Sequence, residues 1–506
     1  MSVPLHRYRN GSGAGISRRQ FIRMASAGAG ALGAGMLIPA GTLDALGPLQ
    51  KSSRAPQSVL ILGAGLAGLA AAWELTEAGH EVTVLEARTR PGGRVHTLRD
   101  PFADGLHAEA GALAFSSNYT NAIRYIEALG LERADWAFPP LPALYHLRGK
   151  RFSVGPDEEG DWPYEMTEDE RRLGPFGIVR RYLIDTLPAG ILEDRAWARA
   201  ELRHLDTMTL GEYMRSQGAS AGAAALVGDT QWFGTSIEHG SALSSLTSDI
   251  AFFMTGAPFV LAGGNDRLPT AMADRLGDDI RYGSEVLAIR DLGSSTEVKV
   301  RRGDRVETFS GDHVICTIPA TVMRNIEFQP GLPAAKRSAV FSIPYMDSTR
   351  TYIQVSRGFW YDEPVAGMAG TDLPIGDLIT HPPEDAGGFD QRAILESHVF
   401  GPSARALAAR SDDEVIERVL SGMEKVHPDI RKYQEGGTVW AWSRDPYALG
   451  CVSYPAPGDV TGYLDALQRP HGRIHFAGEH TTILRSTMEG ALRSGIRAAH
   501  AVVETE

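Results

Sequence analysis

A glycine-rich turn between a predicted strand and a predicted helix constrains the fold of this sequence more than any other feature. The apolar residues 58–62 predict a strand that leads into residues 63–68, Gly-Ala-Gly-Leu-Ala-Gly, and then into a helix with an apolar face. Gly63 makes the turn, Gly65 lets backbone amides approach a pyrophosphate, and Gly68 lets helix and strand pack closely. The next predicted strand ends at Glu86, whose carboxylate can accept hydrogen bonds from a ribose diol. This order predicts an α/β fold with a dinucleotide site; a purely structural glycine turn is the alternative.

A second glycine-rich turn follows at residues 90–94, Arg-Pro-Gly-Gly-Arg. The first motif alone does not separate NAD from FAD. NAD enzymes do not usually need a second turn with flanking arginines, whereas an arginine there can reach the phosphate or ribityl chain of the longer FAD. The two turns together therefore favour FAD as the cofactor.

With these motifs the chain resembles the flavin-containing amine oxidase superfamily, which includes monoamine, polyamine and L-amino-acid oxidases. The matching segments together are far more specific than any one of them, and they spread over residues 57–503. Beyond the two turns they are residues 263–269 (Gly-Gly-Asn-Asp-Arg-Leu-Pro), 318–320 (Ile-Pro-Ala), 359–360 (Phe-Trp), 476–480 (Phe-Ala-Gly-Glu-His), 488–491 (Met-Glu-Gly-Ala) and 494–495 (Ser-Gly).

The resemblance implies an α/β fold with a Rossmann-like FAD-binding domain of the GR2 type and a discontinuous α+β substrate domain. The FAD-binding domain is predicted from residues 57–110, 258–330 and 436–506. The substrate-binding domain is predicted from residues 111–257, which look mostly helical, and 331–435, which mix strands and helices.

The resemblance also assigns contacts to FAD. In the family, the residue like Glu479 contacts the ribityl chain, the backbone of the residue like Val286 contacts adenine, and the backbone near Met488 meets the flavin ring. The predicted cofactor-binding residues are Gly63, Ala64, Gly65, Ala67, Gly68, Glu86, Ala87, Arg88, Gly92, Gly93, Arg94, Gly111, Ala112, Val286, Cys451, Gly478, Glu479 and Met488.

Two positions depart from the family pattern in ways that bear on catalysis. Arg350 stands ten residues before Trp360, where the family usually has a lysine that holds a water near the flavin. It is the predicted catalytic residue, although an arginine stays protonated and cannot serve as a tunable base. An ion-paired arginine in a misjudged register is the alternative. Ala114 stands where L-amino-acid oxidases commonly carry the arginine that grips the substrate carboxylate, which favours a simple amine as substrate.

The substrate pocket is predicted to be unusual. Val452 and Thr487 occupy the places of the family's aromatic cage. The candidate replacements near in sequence are Trp440, Trp442, Tyr447 and Tyr454, although core packing is the alternative for any one of these rings. Cys451 stands where monoamine oxidases carry the cysteine joined covalently to the flavin. A covalent thioether and a small buried thiol are the two interpretations of that position.

The predicted reaction is FAD-dependent oxidation of an amine C–N bond to an imine, which hydrolyses to an aldehyde or ketone plus ammonia or an amine. Electrons pass to oxygen, giving hydrogen peroxide, or to another acceptor. The alternatives are an L-amino-acid oxidase, an amine dehydrogenase, a C–C desaturase and a flavoprotein without catalysis. An L-amino-acid oxidase needs another arginine for the carboxylate, and Arg324, Arg357 and Arg444 are candidates by residue type.

Residues 1–45 predict a twin-arginine signal, with Arg18 and Arg19 ahead of a weakly apolar stretch, and residues 46–56 predict a linker. We therefore expect export to the periplasm or the outside of the cell. A net charge of −12 without basic blocks argues against nucleic acid or an anionic membrane as partner. The histidines show no metal-ligand spacing, and no stretch is apolar enough to span a membrane. The expected partners are a small-molecule amine, an electron acceptor and a second copy in a homodimer.

Overall fold

The structure, a computed structural model, describes residues 47–50, 55–136, 141–155, 158–193, 195–230, 234–363, 365–381 and 390–504. The predicted signal at residues 1–45 lies outside these residues, as do residues 46 and 51–54 of the predicted linker. Within the described ranges, every helix is too short or too polar to cross a bilayer.

A parallel sheet is assembled from strands that lie far apart in the sequence. Its strands in spatial order are Ile280–Arg281, Glu81–Leu85, Ser58–Leu62, His313–Cys316 and Ile474–Phe476. The two central strands are buried along almost their whole length, as expected for a parallel sheet with both faces covered. The first glycine turn follows the carboxyl end of Ser58–Leu62, the edge at which ligands of such sheets bind. The predicted α/β fold is confirmed.

A larger, mostly antiparallel sheet lies on the other side of the cavity described below. Its strands in spatial order are Gln434–Ala441, Ser348–Val355, Ala393–Phe400, Asp377–His381, Ala369–Thr371, Ala143–Leu147 and Lys150–Val154. All eight residues of Ser348–Val355 are buried, so this strand forms part of the core of the sheet. The last two strands come from residues 111–257, where we expected mostly helix.

Smaller sheets and the helices complete the fold. The smaller sheets contain the strands Arg305–Gly311, Thr296–Arg302, Glu285–Asp291 and Glu327–Gln329; Phe115–Ser116, Pro258–Leu261 and Arg133–Asp135; Tyr345–Met346 and Val452–Ser453; and Thr97–Leu98 and Ala108–Glu109. The α-helices are Leu66–Ala78, Thr120–Ala128, Glu168–Val179, Leu210–Ser216, Ala221–Thr230, Gly234–His239, Ala242–Ser245, Arg267–Leu276, Ala320–Met323, Ala334–Ser342, Gly401–Ala408, Asp412–Val426, Ile430–Tyr433, Asp459–Gln468 and Met488–Glu504.

The helices Leu66–Ala78 and Met488–Glu504 share one apolar core and also approach each other closely through their backbones. A Cβ atom added to Gly495 would lie 2.0 Å from the carbonyl oxygen of Ala67. One added to Gly68 would lie 1.9 Å from the carbonyl oxygen of Gly63. Each distance is far inside van der Waals contact, so only glycine lets these elements approach so closely.

We expect Gly495→Ala to lower the free energy of unfolding by about 1–3 kcal/mol, because the added methyl group must push two packed helices apart. Gly462 provides the matched control, since it is an exposed glycine in the helix Asp459–Gln468, and a Cβ atom added there would have no atom within 4 Å. Gly462→Ala should stabilise the protein by about 0.5–1 kcal/mol through helix propensity. Denaturant unfolding of both variants measures these changes, and equal effects would contradict the importance of close packing at Gly495.

Candidate active site

A cavity of about 580 Å³ lies between the glycine turns and the large antiparallel sheet. Most of the predicted cofactor-binding residues line it. These are Gly63, Gly65, Ala67, Glu86, Ala87, Arg88, Gly92, Gly93, Arg94, Gly111, Ala112, Val286, Cys451, Gly478, Glu479 and Met488. Ala64 and Gly68 lie behind the wall. The sequence therefore identified one connected surface from segments more than 350 residues apart.

The two glycine turns lie side by side at this wall. The amide of Gly92 donates to the carbonyl oxygen of Ala64 at 2.8 Å, and a Cβ atom on Gly93 would lie 3.4 Å from the Cα of Gly65. A Cβ atom on Gly65 would meet no atom within 4 Å and would enter the cavity. Gly65 also precedes the helix Leu66–Ala78, whose first turn carries no acidic residue and no side-chain cap. Its amides and positive dipole end suit a pyrophosphate.

Glu86 lies beside this turn and is almost fully buried. Its carboxylate accepts hydrogen bonds from the amide of Ala64 at 2.7 Å and from the amide of Arg88 at 2.8 Å. Burial raises the pKa of Glu86 and outweighs the lowering by these two amides. Arg88 is held in turn by Asp445 at 2.7 Å. These contacts fix the side chain predicted to bind a ribose diol.

Arg94, which is partly buried, and the buried Glu479 form an ion pair at the cavity wall. The Nη1 atom of Arg94 donates to Oε1 of Glu479 and to the carbonyl oxygen of Cys451, both at 2.8 Å. Glu479 also accepts hydrogen bonds from Ser453 and from the amide of Ser486. Burial alone would raise the pKa of Glu479, but Arg94 and these donors lower it to about 2. Glu479 is therefore ionised at any working pH.

These features fit FAD. The wall offers an open space at Gly65 beside free helix amides for phosphate, a fixed carboxylate at Glu86, and the Arg94–Glu479 pair further along. The cavity also has the size of a cofactor and small-ligand site. Together they match the parts of an extended dinucleotide rather than one phosphate.

On the opposite wall, a row of polar residues crosses the large sheet. Arg350 lies in register with Trp440 on one neighbouring strand and with His398 on the other, and His398 lies in register with Asp377 on the next strand. Of these four, Arg350, His398 and Asp377 line the cavity. The residue predicted to be catalytic, Arg350, therefore lies at the cavity wall.

Arg350 is buried and fully engaged. Its Nε atom donates to Nε2 of His398 at 3.1 Å, its Nη1 atom donates to the carbonyl oxygen of Glu109 at 2.6 Å, and Glu396 lies 3.6 Å away. Burial opposes the charge on Arg350, but Glu396 raises the pKa of the guanidinium, so it remains a cation. Burial, followed by Arg350, lowers the pKa of His398 well below its usual value. The imidazole is therefore neutral beside the fixed cation.

Three of the four residues predicted to contact substrate line the cavity, and one does not. Trp442, Val452 and Thr487 line the cavity, whereas Trp440 does not. Its ring packs edge-on against His96 at 4.8 Å and against Trp442 at 5.5 Å between centroids. The prediction that Trp440 contacts substrate is not supported by this placement, because its partly buried indole packs against these rings and lies outside the cavity wall. Trp442 is fixed from behind by a hydrogen bond of 2.7 Å from its Nε1 atom to the carbonyl oxygen of Ala110.

The arginines predicted as candidates to grip a carboxylate are elsewhere. Arg324 donates to the carbonyl oxygens of Val340 and Ile343, Arg357 pairs with Asp362, and Arg444 pairs with Asp412. None of the three lines the cavity. That prediction was wrong, because residue type alone carries no information on position.

Four charged residues of the cavity wall, Asp249, Glu285, Asp377 and Arg485, were not predicted from the sequence. Arg485 pairs with Asp249 at 2.8 Å and stacks over the ring of Tyr454 at 5.0 Å. Its position two residues before Thr487 was a usable signal. Asp377 had no such signal, since only the pairing of distant strands brings it to the site.

Cys451 lines the cavity as a buried free thiol. Burial raises its pKa, so the neutral thiol is the form present near neutral pH. A neutral thiol is a weak nucleophile, which favours the small buried thiol over a thioether. Among the described residues there is no cluster of three or more side chains that could hold a metal ion.

Comparison with known proteins gives consistent results. YobN of Bacillus subtilis, named as a putative L-amino-acid oxidase, is 29% identical over 89% of this chain and 95% of its own length. The L-amino acid oxidase Bs29 of Bothriechis schlegelii is 27% identical over 89% of this chain and 91% of its own length.

Solved structures share the fold. Wild-type putrescine oxidase bound to putrescine superposes with a TM-score of 0.73 at 22% identity, over 89% of this chain and 99% of its own. Cyclohexylamine oxidase from Brevibacterium oxydans gives a TM-score of 0.73 at 23% identity, with the same coverage. The family model for flavin-containing amine oxidoreductases matches residues 66–503. This chain therefore belongs to the flavin-containing amine oxidoreductase family and is an FAD-dependent enzyme of amine oxidation.

Proposed function

We propose that the enzyme oxidises an amine without a carboxylate group, to an imine that hydrolyses to an aldehyde or ketone, with oxygen as the electron acceptor. The observation that supports this is the charge pairing of the cavity wall. Every arginine on the described part of the wall has a carboxylate partner: Arg88 with Asp445, Arg94 with Glu479, Arg350 with Glu396 and Arg485 with Asp249. A substrate carboxylate would have to displace one of them, leaving a buried charge without its partner.

FAD, when bound, supplies the oxidising chemistry by accepting a hydride equivalent from the carbon next to the amine nitrogen. The protein has to bind the amine, orient its C–H bond and exclude water. The cation of Arg350 disfavours a second positive charge nearby, so it favours the neutral form of an amine at this wall. Trp442, Val452 and Thr487 are the proposed substrate contacts.

L-Amino-acid oxidation is the second candidate. The curated relatives described above are L-amino-acid oxidases or named after them, and Arg485 presents a buried guanidinium to the cavity. That function requires a substrate carboxylate to compete with Asp249 for Arg485.

In the absence of oxygen, we expect phenylethylamine to bleach the bound flavin at least about tenfold faster than L-phenylalanine does. The reason is that each arginine on the described wall is already paired and is not available to the amino-acid carboxylate. Stopped-flow absorbance measures both rates. Bleaching by L-phenylalanine alone would establish the second candidate instead.

Readmitting oxygen to the bleached enzyme tests the acceptor and the proposed role of Arg350. The flavin should regain its colour with release of hydrogen peroxide. In Arg350→Met this recovery should slow about tenfold or more, while amine-dependent bleaching changes less, because the fixed cation stabilises negative charge that develops on oxygen. Recovery only with an artificial acceptor would indicate a dehydrogenase.

Glu86 is proposed to hold the ribose of FAD. Glu86→Gln should weaken FAD binding about tenfold, because the amide offers one acceptor oxygen where the carboxylate has two. Glu74→Gln is the matched control, since Glu74 is a buried carboxylate of the same helix–strand unit that does not line the cavity. Flavin absorbance per mole of protein, measured during dilution, reports the loss. Equal flavin loss in both variants would show that the effect of Glu86 is only structural.

We also propose export through the twin-arginine pathway, which carries proteins already folded and so suits one that loads FAD before transport. The support is the Arg18–Arg19 pair ahead of a weakly apolar stretch. Replacing both arginines with lysine should leave active, yellow protein inside the cell, and fractionation followed by an activity assay measures this. Unchanged export would contradict the proposal.

The homodimer expected from the sequence stays a prediction. Sedimentation of the holoenzyme measures its oligomeric state.

A further inference from the structure

Asp377 is the carboxylate of the cavity wall that has no cationic partner among the described residues. It begins the strand Asp377–His381, and its Oδ1 atom accepts a long hydrogen bond of 3.4 Å from the amide of Thr371. The carboxylates of Glu479 and Asp249, by contrast, each meet an arginine at 2.8 Å. Asp377 therefore differs from these acidic groups of the site in having its charge unbalanced.

The surroundings of Asp377 make that unbalanced charge costly. Leu144, Tyr145, Ala369 and Leu378 line the same part of the cavity. Burial raises the pKa of Asp377 to about 7, and the charge of nearby Asp229 adds to the rise. A carboxylate in such surroundings is stabilised either by taking up a proton or by meeting a cation. The cavity gives a cationic ligand direct access to it.

Strand register fixes where such a cation would lie. Asp377 is in register with His398, and His398 is in register with Arg350. Neighbouring strands lie about 4.8 Å apart, so the backbones of Asp377 and Arg350 are separated by about 10 Å. His398 between them is neutral. The row therefore runs from a fixed positive charge at Arg350 to a negative group at Asp377 over the length of a small molecule.

We propose that the substrate carries a second, positively charged group and that Asp377 binds it, which makes a diamine or a longer polyamine the substrate class. This inference rests on the proposed oxidation of an amine without a carboxylate. The row of Arg350, His398 and Asp377 on neighbouring strands orients such a molecule. Its ammonium group pairs with Asp377, and its other amine lies toward Arg350, where the neutral form is favoured. A monoamine of the same length would leave Asp377 without a partner.

The test compares α,ω-diaminoalkanes with n-alkylamines of the same chain length on the FAD-loaded enzyme. At the best length, we expect kcat/KM for the diamine to exceed that for the alkylamine by about 10- to 100-fold, as for a charge-assisted hydrogen bond in a site shielded from water. Asp377→Asn should remove this preference by slowing the diamine far more than the alkylamine.

Two further variants separate binding from folding. Asp377→Glu keeps the charge on a side chain one methylene longer, so it should keep the preference and shift the best diamine to a shorter chain. Asp229→Asn is the matched control, because Asp229 is a neighbouring carboxylate that does not line the cavity and pairs with Arg148. It should change the preference by no more than about twofold. Flavin content and the unfolding midpoint of each variant report on folding.

The outcomes distinguish this inference from the proposed function. Equal kcat/KM for diamines and alkylamines in the unaltered enzyme would overturn the role of Asp377 and leave amine oxidation standing. An equal loss of both activities in Asp377→Asn would also overturn it, since that indicates a structural role. Oxidation of L-amino acids alone would overturn both proposals.

Discussion

The approach of backbone to backbone at two glycines holds the site together. At Gly68 the helix Leu66–Ala78 touches the turn that precedes it, and at Gly495 the helix Met488–Glu504 touches the first turn of that same helix. The amino end of Leu66–Ala78 is therefore fixed at the cavity wall. The helix Met488–Glu504 also holds a third helix in place, because its Glu489 accepts hydrogen bonds from the amides of Asn121 and Ala122 at the start of Thr120–Ala128. Segments from the first and last parts of the chain thus form one rigid wall.

On that frame, electrostatic pairing divides the cavity into two regions. Near the glycine turns the charges are matched within the protein, as in the pair of Arg94 and Glu479. Matched pairs hold their geometry and leave ligand binding to backbone amides and single acceptors. On the large sheet the pairing is incomplete, since Asp377 has no cation beside it among the described residues and accepts only a long hydrogen bond from Thr371. An unmatched, partly buried charge such as that of Asp377 is tolerated where a ligand can complete it, so we infer that substrate specificity resides in the incomplete region.

What the sequence predicts well depends on short-range spacing. The glycine turns, Glu86 and residues 90–94 act through positions a few residues apart, and the structure brings them together as expected. Trp440 shows where such reasoning ends. It stands two residues from Trp442, yet Trp442 lines the cavity and Trp440 packs against His96 outside it. Asp377 is harder still, because its place beside His398 is set by pairing of strands that no local pattern reports. The strand Ala143–Leu147 is a different case: its pairing with Lys150–Val154 is local, through the turn at Arg148 and Gly149, and only its pairing with Ala369–Thr371 spans more than 200 residues.

An arginine at position 350, where the resemblance to the family predicts a lysine, changes what this wall can do. A lysine can lose its proton when buried, whereas Arg350 keeps its charge and is held by three contacts that leave its guanidinium little freedom. The neutral His398 beside it and the buried carboxylate of Glu396 behind it stabilise that single state. The charge of Arg350 itself is therefore constant across the working pH range. We infer that proton release from the amine depends on the amine and on this fixed charge rather than on titration of the residue at position 350.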